Sequence, residues 1–358
     1  MKVAVLGSGN GGCAVAFDWA QHGHQVGLFD FERFPANVAA IAAQGGIRSS
    51  GQLEGFEEIA YAGHDIAQAL DGADLIFAVS PAFATAPTAA AAQPHLRPGQ
   101  NIVVCPSSCA GSLVFKTSLG LALDDDTYNI GETSTLPYAV RVTEPGEMRV
   151  FLKLDAGLTV AAVPRRGTEE LHALLLEVYP GLTAAGSVFQ TTLQNGNPVI
   201  HPAVTLLNAA LIERTGGAFD FYEEGVTESV GRLIESVDSE RLALASALGV
   251  PVLSDPEMGI LQGYMVEENY STGYSHAPGF RGIRAQSKLD NRYLTEDVGY
   301  GMVFLSDLGR TIGVPTPVMD AIIEIASVVM ARDFRGEQKR TMATAGLSDR
   351  TLEQLRAL

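Results

Sequence analysis

Apolar and polar residues alternate in short blocks through the first half of the chain, and these blocks predict strands and helices that follow one another. Strand patterns occupy residues 3–6, 25–30, 75–79, 101–104, 148–154 and 158–163, with two weaker ones at 56–61 and 186–189. Helical patterns lie between them at residues 13–21, 35–43, 66–70, 85–96 and 169–178. Strands that alternate with helices are typical of an α/β fold built on a doubly wound parallel sheet.

After residue 198 the pattern changes to long helices. Apolar positions recur at helical spacing in residues 201–214, 225–248, 297–312 and 317–331. The change predicts a domain boundary near residue 187, with an α/β domain over residues 1–187 and an all-α domain over residues 188–358. A length of 358 residues also suggests two domains.

The turn after the first strand carries the most specific motif of the chain. Gly7, Gly9 and Gly12 have the G-x-G-x-x-G spacing, with Asn10 and Gly11 among them, and they stand between a strand and a helix. The first glycine permits a tight turn, the second lets the backbone approach a pyrophosphate, and the third lets the helix pack closely on the strand. The phosphates would bind at the positive end of the helix. This context predicts a Rossmann-type dinucleotide site; the alternative is a turn that only joins two elements.

The second strand ends at Asp30, which bears on the choice of dinucleotide. Asp30 follows Gly12 by 18 residues, close to the separation of about 20 at which a carboxylate binds the ribose hydroxyls of NAD. The same carboxylate would repel the 2'-phosphate of NADP, whereas Arg33 could hold it. We predict NAD as the cofactor, with NADP as the alternative. Ser80 and Pro81 follow a later strand, and we expect them to line the nicotinamide side of the cleft because ligands bind outside the carboxyl ends of parallel strands. The alternative is that they form only a turn.

The charge balance restricts the partners of the chain. A net charge of -17 argues against nucleic acids and anionic membranes, since both need a positive protein surface. No apolar run reaches the 18 or so residues that cross a bilayer, and the first strand leaves no room for a signal peptide, so we expect a cytoplasmic protein. The three cysteines fit a reducing compartment. The acidic surface and the long C-terminal helices allow a homodimer.

Polar residues on two of the predicted helices are candidates for chemistry. His201, Thr205 and Asn208 share one face of an otherwise apolar helix, because they are spaced at i, i+4 and i+7. Imidazole exchanges protons near neutral pH, which makes His201 a candidate acid and base. A lone buried histidine is, however, more often a structural group than a catalytic one.

Arg292 and Asp297 stand at the start of a later helical pattern. The guanidinium of Arg292 can hold a carboxylate through two parallel hydrogen bonds, and the carboxylate of Asp297 can orient an imidazole. The alternative is that Arg292 is a surface charge and that Glu296 or Asp297 serves only the helix N-terminus. Spacing alone does not decide between these interpretations.

Five stretches of sequence carry a resemblance to a known family. VLGSGNGG begins at Val5, GETS at Gly131, HPAVTLLNAA at His201, NRYLTEDV at Asn291 and LSDLGRTIGVPTP at Leu305. Through these stretches the chain resembles the opine dehydrogenases over nearly its whole length.

The resemblance implies a dinucleotide-binding domain, an all-helical domain and an active site between them. Opine dehydrogenases join a 2-oxo acid such as pyruvate to the amine of an amino acid and reduce the imine with NADH or NADPH. The resemblance makes His201 the proton donor and acceptor, Asp297 its partner and Arg292 the clamp on the oxo-acid carboxylate. Thr205 and Asn208 would then belong to the substrate site.

Substrate choice is expected to depend on parts of the chain where the resemblance says less. Glu132, in the polar cluster that begins at Gly131, could hold the substrate ammonium. The tyrosine-rich residues 263–281 show the least resemblance, and they form a lid, an amino-acid pocket or only a variable loop.

Two other functions are compatible with the same sequence pattern. A dehydrogenase of the same two-domain build could reduce a 2-oxo acid or a polyol phosphate without an amine. Such enzymes use a lysine of the helical domain, where this chain has only Lys288 and Lys339, neither on a clear apolar helix face. A non-catalytic dinucleotide sensor would need the glycine turn but not His201, Arg292 and Asp297 together.

Overall fold

A computed structural model describes all residues from 1 to 358. Contacts divide the chain into two compact units, Met1–Thr191 and Thr192–Leu358. The first unit is α/β and the second is helical, which confirms the predicted fold class. No helix of either unit has both the length and the apolar character needed to span a membrane.

Twelve strands form two sheets in the first unit. The strands are β1 (Lys2–Leu6), β2 (Gln25–Phe29), β3 (Gly46–Gly51), β4 (Gly55–Glu58), β5 (Tyr61–Gly63), β6 (Leu75–Ala78), β7 (Asn101–Val104), β8 (Asn129–Thr133), β9 (Tyr138–Glu144), β10 (Glu147–Lys153), β11 (Leu158–Val163) and β12 (Leu182–Ala184). The larger sheet has the order β12-β11-β8-β7-β6-β1-β2-β5, and the smaller one has the order β4-β3-β10-β9. All neighbours in the larger sheet are parallel except β8 and β11.

Helices cover the larger sheet on both faces. They are α1 (Asn10–Gln21), α2 (Pro35–Gln44), α3 (Ile66–Leu70), α4 (Thr85–Ala92), α5 (Gly111–Ser118) and α6 (Thr168–Leu175). Strand β1 is therefore buried on both faces. Val3 and Val5 belong to the core on one face, and Ala4 and Leu6 belong to a second core on the other. A strand that is buried on both faces reads as a continuous apolar run rather than as an alternating one. Helix α7 (Val188–Leu193) follows the last strand and includes the boundary between the two units.

The position of β1 creates the crevice for a ligand. The chain passes from β1 to β2 on one side, and β6 pairs with β1 on the other side. The connections that follow β1 and β6 therefore leave the sheet in opposite directions, and in open α/β sheets ligands bind at such a switch point.

Nine α-helices and one π-helix build the second unit. They are α8 (Asn197–Leu207), α9 (Ala209–Thr215), α10 (Glu228–Leu248), α11 (Asp255–Leu261), α12 (Thr272–Ser275), α13 (Arg292–Thr295), the π-helix Asp297–Met302, α14 (Val303–Ile312), α15 (Pro317–Val329) and α16 (Leu352–Arg356). Helix α10 begins at the N-cap Thr227, whose side chain accepts a hydrogen bond from the backbone of Val230, and ends at Gly249 in the left-handed conformation.

Four predicted elements differ from the structure. The strand expected at residues 56–61 is two strands, β4 and β5, which belong to different sheets. The strand expected at residues 186–189 is wrong, because the last strand is Leu182–Ala184 and residues 188–193 are helical. The helix expected at 201–214 is two helices that meet at Asn208. The helix expected at 297–312 begins with the π-helix Asp297–Met302.

Candidate functional site

His201 and Asp297 form a buried pair in the second unit. His201 lies in α8, and Asp297 is the first residue of the π-helix. Nδ1 of the imidazole lies 2.7 Å from Oδ2 of the carboxylate, and the two residues are only 5% and 4% exposed. An ionised carboxylate only accepts hydrogen bonds, so Nδ1 carries a hydrogen and Nε2 of the neutral ring is an acceptor.

Aromatic residues enclose the imidazole of His201. The hydroxyl of Tyr222 lies 3.1 Å from Nε2. The ring of Tyr293 stacks on the imidazole at 3.9 Å between centroids, and Phe221 approaches its edge at 6.1 Å. Burial, followed by the neighbouring Tyr293, raises the pKa of Tyr222 well above 10. Tyr222 is therefore a neutral hydroxyl at working pH.

Arg292 stands close to this pair, at the first position of α13. The N-cap Asn291 fixes the start of the helix by accepting a hydrogen bond from the backbone of Tyr293. Burial works against the charge of the guanidinium, but the carboxylates of Asp297 and Glu296 outweigh it and keep the pKa of Arg292 above its usual value. By its accessible surface Arg292 is exposed, and it makes no ion pair with the protein. Its donors can therefore serve an anionic ligand.

Thr205 and Asn208 follow His201 along the chain, and protein partners occupy both side chains. Thr205 is fully buried, and its hydroxyl accepts a hydrogen bond from the amide of Gln286 at 3.1 Å. Asn208 donates from Nδ2 to the backbone oxygens of Val204 and Gly225, at 2.9 Å each. These contacts favour structural roles, with Asn208 supporting the break between α8 and α9.

Glu132 lies in the interior of the first unit and does not face an open site. Its Oε1 accepts hydrogen bonds from Ser107 and Thr191 at 2.6 and 2.7 Å. Its Oε2 accepts from the backbone and the hydroxyl of Ser112 at 2.8 and 2.7 Å. Two donors per oxygen occupy the acceptor positions of a carboxylate. The expectation that Glu132 meets a substrate ammonium is therefore replaced by a structural role at the start of α5.

The glycine-rich turn forms one wall of a cavity of about 550 Å³ at the switch point. A Cβ at Gly7 would lie 2.0 Å from the backbone oxygen of Val79, and one at Gly12 would lie 1.8 Å from the oxygen of Gly7. A Cβ at Gly9 would meet no protein atom within 4 Å. The first and third glycines are thus required by the fold, whereas the second faces open space. This arrangement fits a dinucleotide whose pyrophosphate approaches the backbone at Gly9.

The other predicted cofactor residues divide into two groups. Asp30, Ser80 and Pro81 line the same cavity as Gly7 and Gly9. Asn10, Gly11 and Gly12 do not appear in its lining. Asn10 accepts a hydrogen bond from the backbone of Val142 at 2.8 Å, and a Cβ at Gly11 would lie 2.8 Å from Leu136. These three positions hold α1 in place.

Asp30 is held by the turn itself. Its Oδ2 accepts from the backbone and the hydroxyl of Ser8 at 2.8 and 2.7 Å, and its Oδ1 accepts from the backbone of Phe31 at 2.8 Å. One acceptor position on Oδ1 is left for a ribose hydroxyl. Arg33 also lines the cavity, with its guanidinium 4.9 Å from the centre of the Phe34 ring.

Several contacts of these sites carry no signal in the sequence. Tyr222, Tyr293 and Ser8 meet His201 or Asp30 only because the chain folds back on itself. Tyr222 follows His201 by 21 residues and lies outside α8, the helix that contains His201. No helical periodicity therefore links the two residues. The spacing of the glycines, in contrast, could locate the turn.

Comparisons with known proteins agree with both units. Residues 2–107 match the family described as NAD-dependent glycerol-3-phosphate dehydrogenase N-terminus, and residues 184–330 match the family described as NAD/NADP octopine/nopaline dehydrogenase, alpha-helical domain. A curated opine dehydrogenase of Arthrobacter sp. (strain 1C) is 36% identical over 99% of this chain and 97% of its own length. The protein ocs of Agrobacterium tumefaciens (strain Ach5) is 27% identical over 93% of this chain and 92% of its own.

Solved structures share the fold over the same length. An octopine dehydrogenase with NADH and L-arginine has a TM-score of 0.80 at 18% identity and covers 100% of this chain and 98% of its own. A yersinopine dehydrogenase with NADP+ has a TM-score of 0.68 at 15% identity, with coverage of 99% and 96%. The full-length identity to the curated relative decides the assignment: the chain belongs to the opine dehydrogenase family of NAD(P)-dependent oxidoreductases.

Proposed function

We propose that the protein joins a 2-oxo acid to the amino group of an L-amino acid in an NAD(P)H-dependent reductive condensation, and that it oxidises the product in reverse. The observation that carries the proposal is the His201–Asp297 pair at 2.7 Å with the guanidinium of Arg292 beside it. A polyol phosphate dehydrogenase or a dinucleotide sensor would not need this combination.

Each of the three residues has a role that its surroundings support. Asp297 holds the imidazole of His201 through Nδ1 and stabilises its protonated form, so the proton that His201 gives up or takes during the reaction is the one on Nε2. Arg292 binds the carboxylate of the oxo acid through its planar fork and so fixes the position of the carbon that reacts.

The dinucleotide would be held by the turn at Gly7 and Gly9 and by Asp30, with Ser80 and Pro81 at the end of β6. When bound, it supplies the hydride for the reduction. The open acceptor position on Asp30 favours the ribose hydroxyls of NAD. Arg33 in the same cavity keeps NADP as an alternative.

Pyruvate is the oxo acid that we propose to test first. The octopine dehydrogenase structures contain NADH with L-arginine, agmatine or pyruvate. Those ligands belong to that enzyme, but they define a sensible first set of substrates for this chain. The identity of its amino acid is to be found by varying the amine.

The decisive experiment follows NADH absorbance with purified protein and pyruvate, with and without single L-amino acids, and repeats the set with NADPH. Oxidation that needs both the oxo acid and an amine supports the proposal. Oxidation with pyruvate alone would identify a simple 2-oxo acid reductase, and no oxidation with any pair would favour the sensor. His201→Ala should bind NADH as the wild type does and lose most turnover, by on the order of 10²-fold or more.

A further inference from the structure

The imidazole of His201 has protein on every side. Asp297 takes Nδ1, the hydroxyl of Tyr222 takes Nε2, and Tyr293 covers one ring face. Only 5% of the residue is exposed. A proton that leaves Nε2 therefore meets the hydroxyl of Tyr222 before it meets a substrate.

A hydroxyl is the one partner in this set that can pass a proton on. The carboxylate of Asp297 only accepts hydrogen bonds, and the faces of Tyr293 and Phe221 offer no exchangeable hydrogen. A tyrosine hydroxyl donates one hydrogen and accepts through its oxygen. When His201 is neutral, the hydroxyl of Tyr222 donates to Nε2; when His201 is charged, Nε2 donates to the hydroxyl oxygen, and the phenolic hydrogen is free to point elsewhere.

We propose that the hydroxyl of Tyr222 relays the proton between Nε2 of His201 and the reacting nitrogen or oxygen of the substrate. This inference rests on the proposed function. In the direction of condensation, the bond between the phenolic oxygen and its hydrogen breaks as the hydrogen bonds to the substrate atom. The proton on Nε2 moves to the phenolic oxygen in the same step. The step begins with a charged imidazole, protonated by solvent, and ends with a neutral imidazole and an intact tyrosine.

The surroundings of Tyr222 suit this role. Its ring stacks on Phe280 at 4.3 Å between centroids, which fixes the direction of the hydroxyl. The charged and titratable groups that act on Tyr222 are Tyr293, Asp255, Arg292 and Asp297. Burial and three of these four raise the pKa of Tyr222, and only Arg292 lowers it. The tyrosine consequently stays protonated between turnovers, as a relay requires.

The test uses Tyr222→Phe, which keeps the stacked ring and removes only the hydroxyl. Tyr300→Phe is the control, because it removes a hydroxyl from the same unit at a ring that lies against Lys339 and Arg340 and not against His201. We expect Tyr222→Phe to lower kcat on the order of 10²-fold with an unchanged KM for NADH. Tyr300→Phe should keep the wild-type kcat.

A solvent isotope experiment separates a relay from a merely structural contact. Single-turnover rates are measured in mixtures of H₂O and D₂O and plotted against the fraction of D₂O. The wild-type rate should fall along a curve, because two protons move in the same step. The residual rate of Tyr222→Phe should fall along a straight line. A straight line for the wild type, or the same kcat for both proteins, would overturn the relay and show that substrate displaces the hydroxyl. A wild type that is inactive with every amine would instead count against the proposed function.

Discussion

Arg292 is the residue whose chemistry is hardest to replace. Its guanidinium carries an elevated pKa, keeps clear of ion pairs with the protein and can bind a carboxylate through two parallel hydrogen bonds. Arg292→Lys keeps the charge but loses the fork. We expect the KM for the oxo acid to rise by on the order of 10-fold, with a smaller change in kcat. Steady-state kinetics with varied pyruvate measures both values.

The exposed Arg281 supplies the matched control for this substitution. Arg281→Lys makes the same chemical change in the same unit and should leave the KM for pyruvate as it is. An unchanged KM in Arg292→Lys would exclude the clamp.

Glu132 offers a test between a binding role and a structural one. A backbone N–H and three hydroxyls are among its donors. Glu132→Gln turns one acceptor into an amide donor that faces donors, and leaving buried polar groups without partners costs about 1 to 3 kcal/mol. Thermal unfolding should show a lowered Tm, while the KM for the amino acid stays the same. A raised KM for the amino acid at an unchanged Tm would restore the ammonium-binding hypothesis.

At this scale the sequence could identify residues whose chemistry is distinctive. His201 and Asp297 were singled out by residue type and by resemblance, and the structure brings them within hydrogen-bonding distance. The partners Tyr222 and Ser8 could not be found, because they depend on contacts across the fold and show no periodic spacing. The role expected for Glu132 was wrong because its carboxylate is buried among hydrogen-bond donors. One sequence does not reveal how many donors surround a carboxylate.

Substitutions in the turn between β1 and α1 distinguish a glycine that the fold requires from a glycine that cofactor binding requires. Gly12→Ala places a methyl 1.8 Å from the backbone oxygen of Gly7, so α1 must move away from the strand. Gly9→Ala places its methyl in open space. We expect Gly12→Ala to destabilise the protein strongly. Gly9→Ala should keep the wild-type Tm and lose NADH affinity by about 10-fold or more, because the methyl blocks the pyrophosphate.

Calorimetry for stability and fluorescence titration with NADH separate the two effects. Gly99→Ala is unsuitable as a control, because Gly99 has a positive φ of 84° that strains any side chain. An equal loss of Tm in the Gly9 and Gly12 variants would contradict the division of roles. Unchanged NADH affinity in Gly9→Ala would place the pyrophosphate elsewhere.

Elements with a strong pattern were predictable, and short or interrupted ones were not. The strands at residues 101–104 and 158–163 have the predicted bounds, because continuous apolar runs fit a sheet that is buried on both faces. Residues 188–193 form a helix of only six residues, and so short an apolar run does not distinguish a helix from a strand. The side chain of Asn208, where the two helices meet, also donates a hydrogen bond to the backbone oxygen of Gly225, 17 residues away, and local pattern does not reveal this contact.

The whole molecule carries a net charge of -17, so its stability must depend on pH. Within that general dependence one carboxyl should stand out. Burial, and then the charge of Asp238, raise the pKa of Asp255 to about 6, whereas an exposed aspartate has a value of 3.8. The hydroxyl of Tyr274 donates to Asp255 at 2.5 Å and links it to residues 263–281.

The sign of the effect follows from where the proton is bound. Between pH values of about 4 and about 6 the folded protein keeps a proton on Asp255 that the unfolded chain has lost, so the free energy of unfolding falls as the pH rises through this window. Asp255→Asn keeps an oxygen that accepts from Tyr274 but removes the titration. The Tm of the wild type minus the Tm of Asp255→Asn should therefore fall as the pH rises from about 4 to about 6. This difference should stay constant above about pH 7. Thermal unfolding of both proteins across this range measures the difference directly, and the general effect of net charge largely cancels in it. A difference that is the same at every pH would mean that Asp255 does not hold a proton in the folded protein.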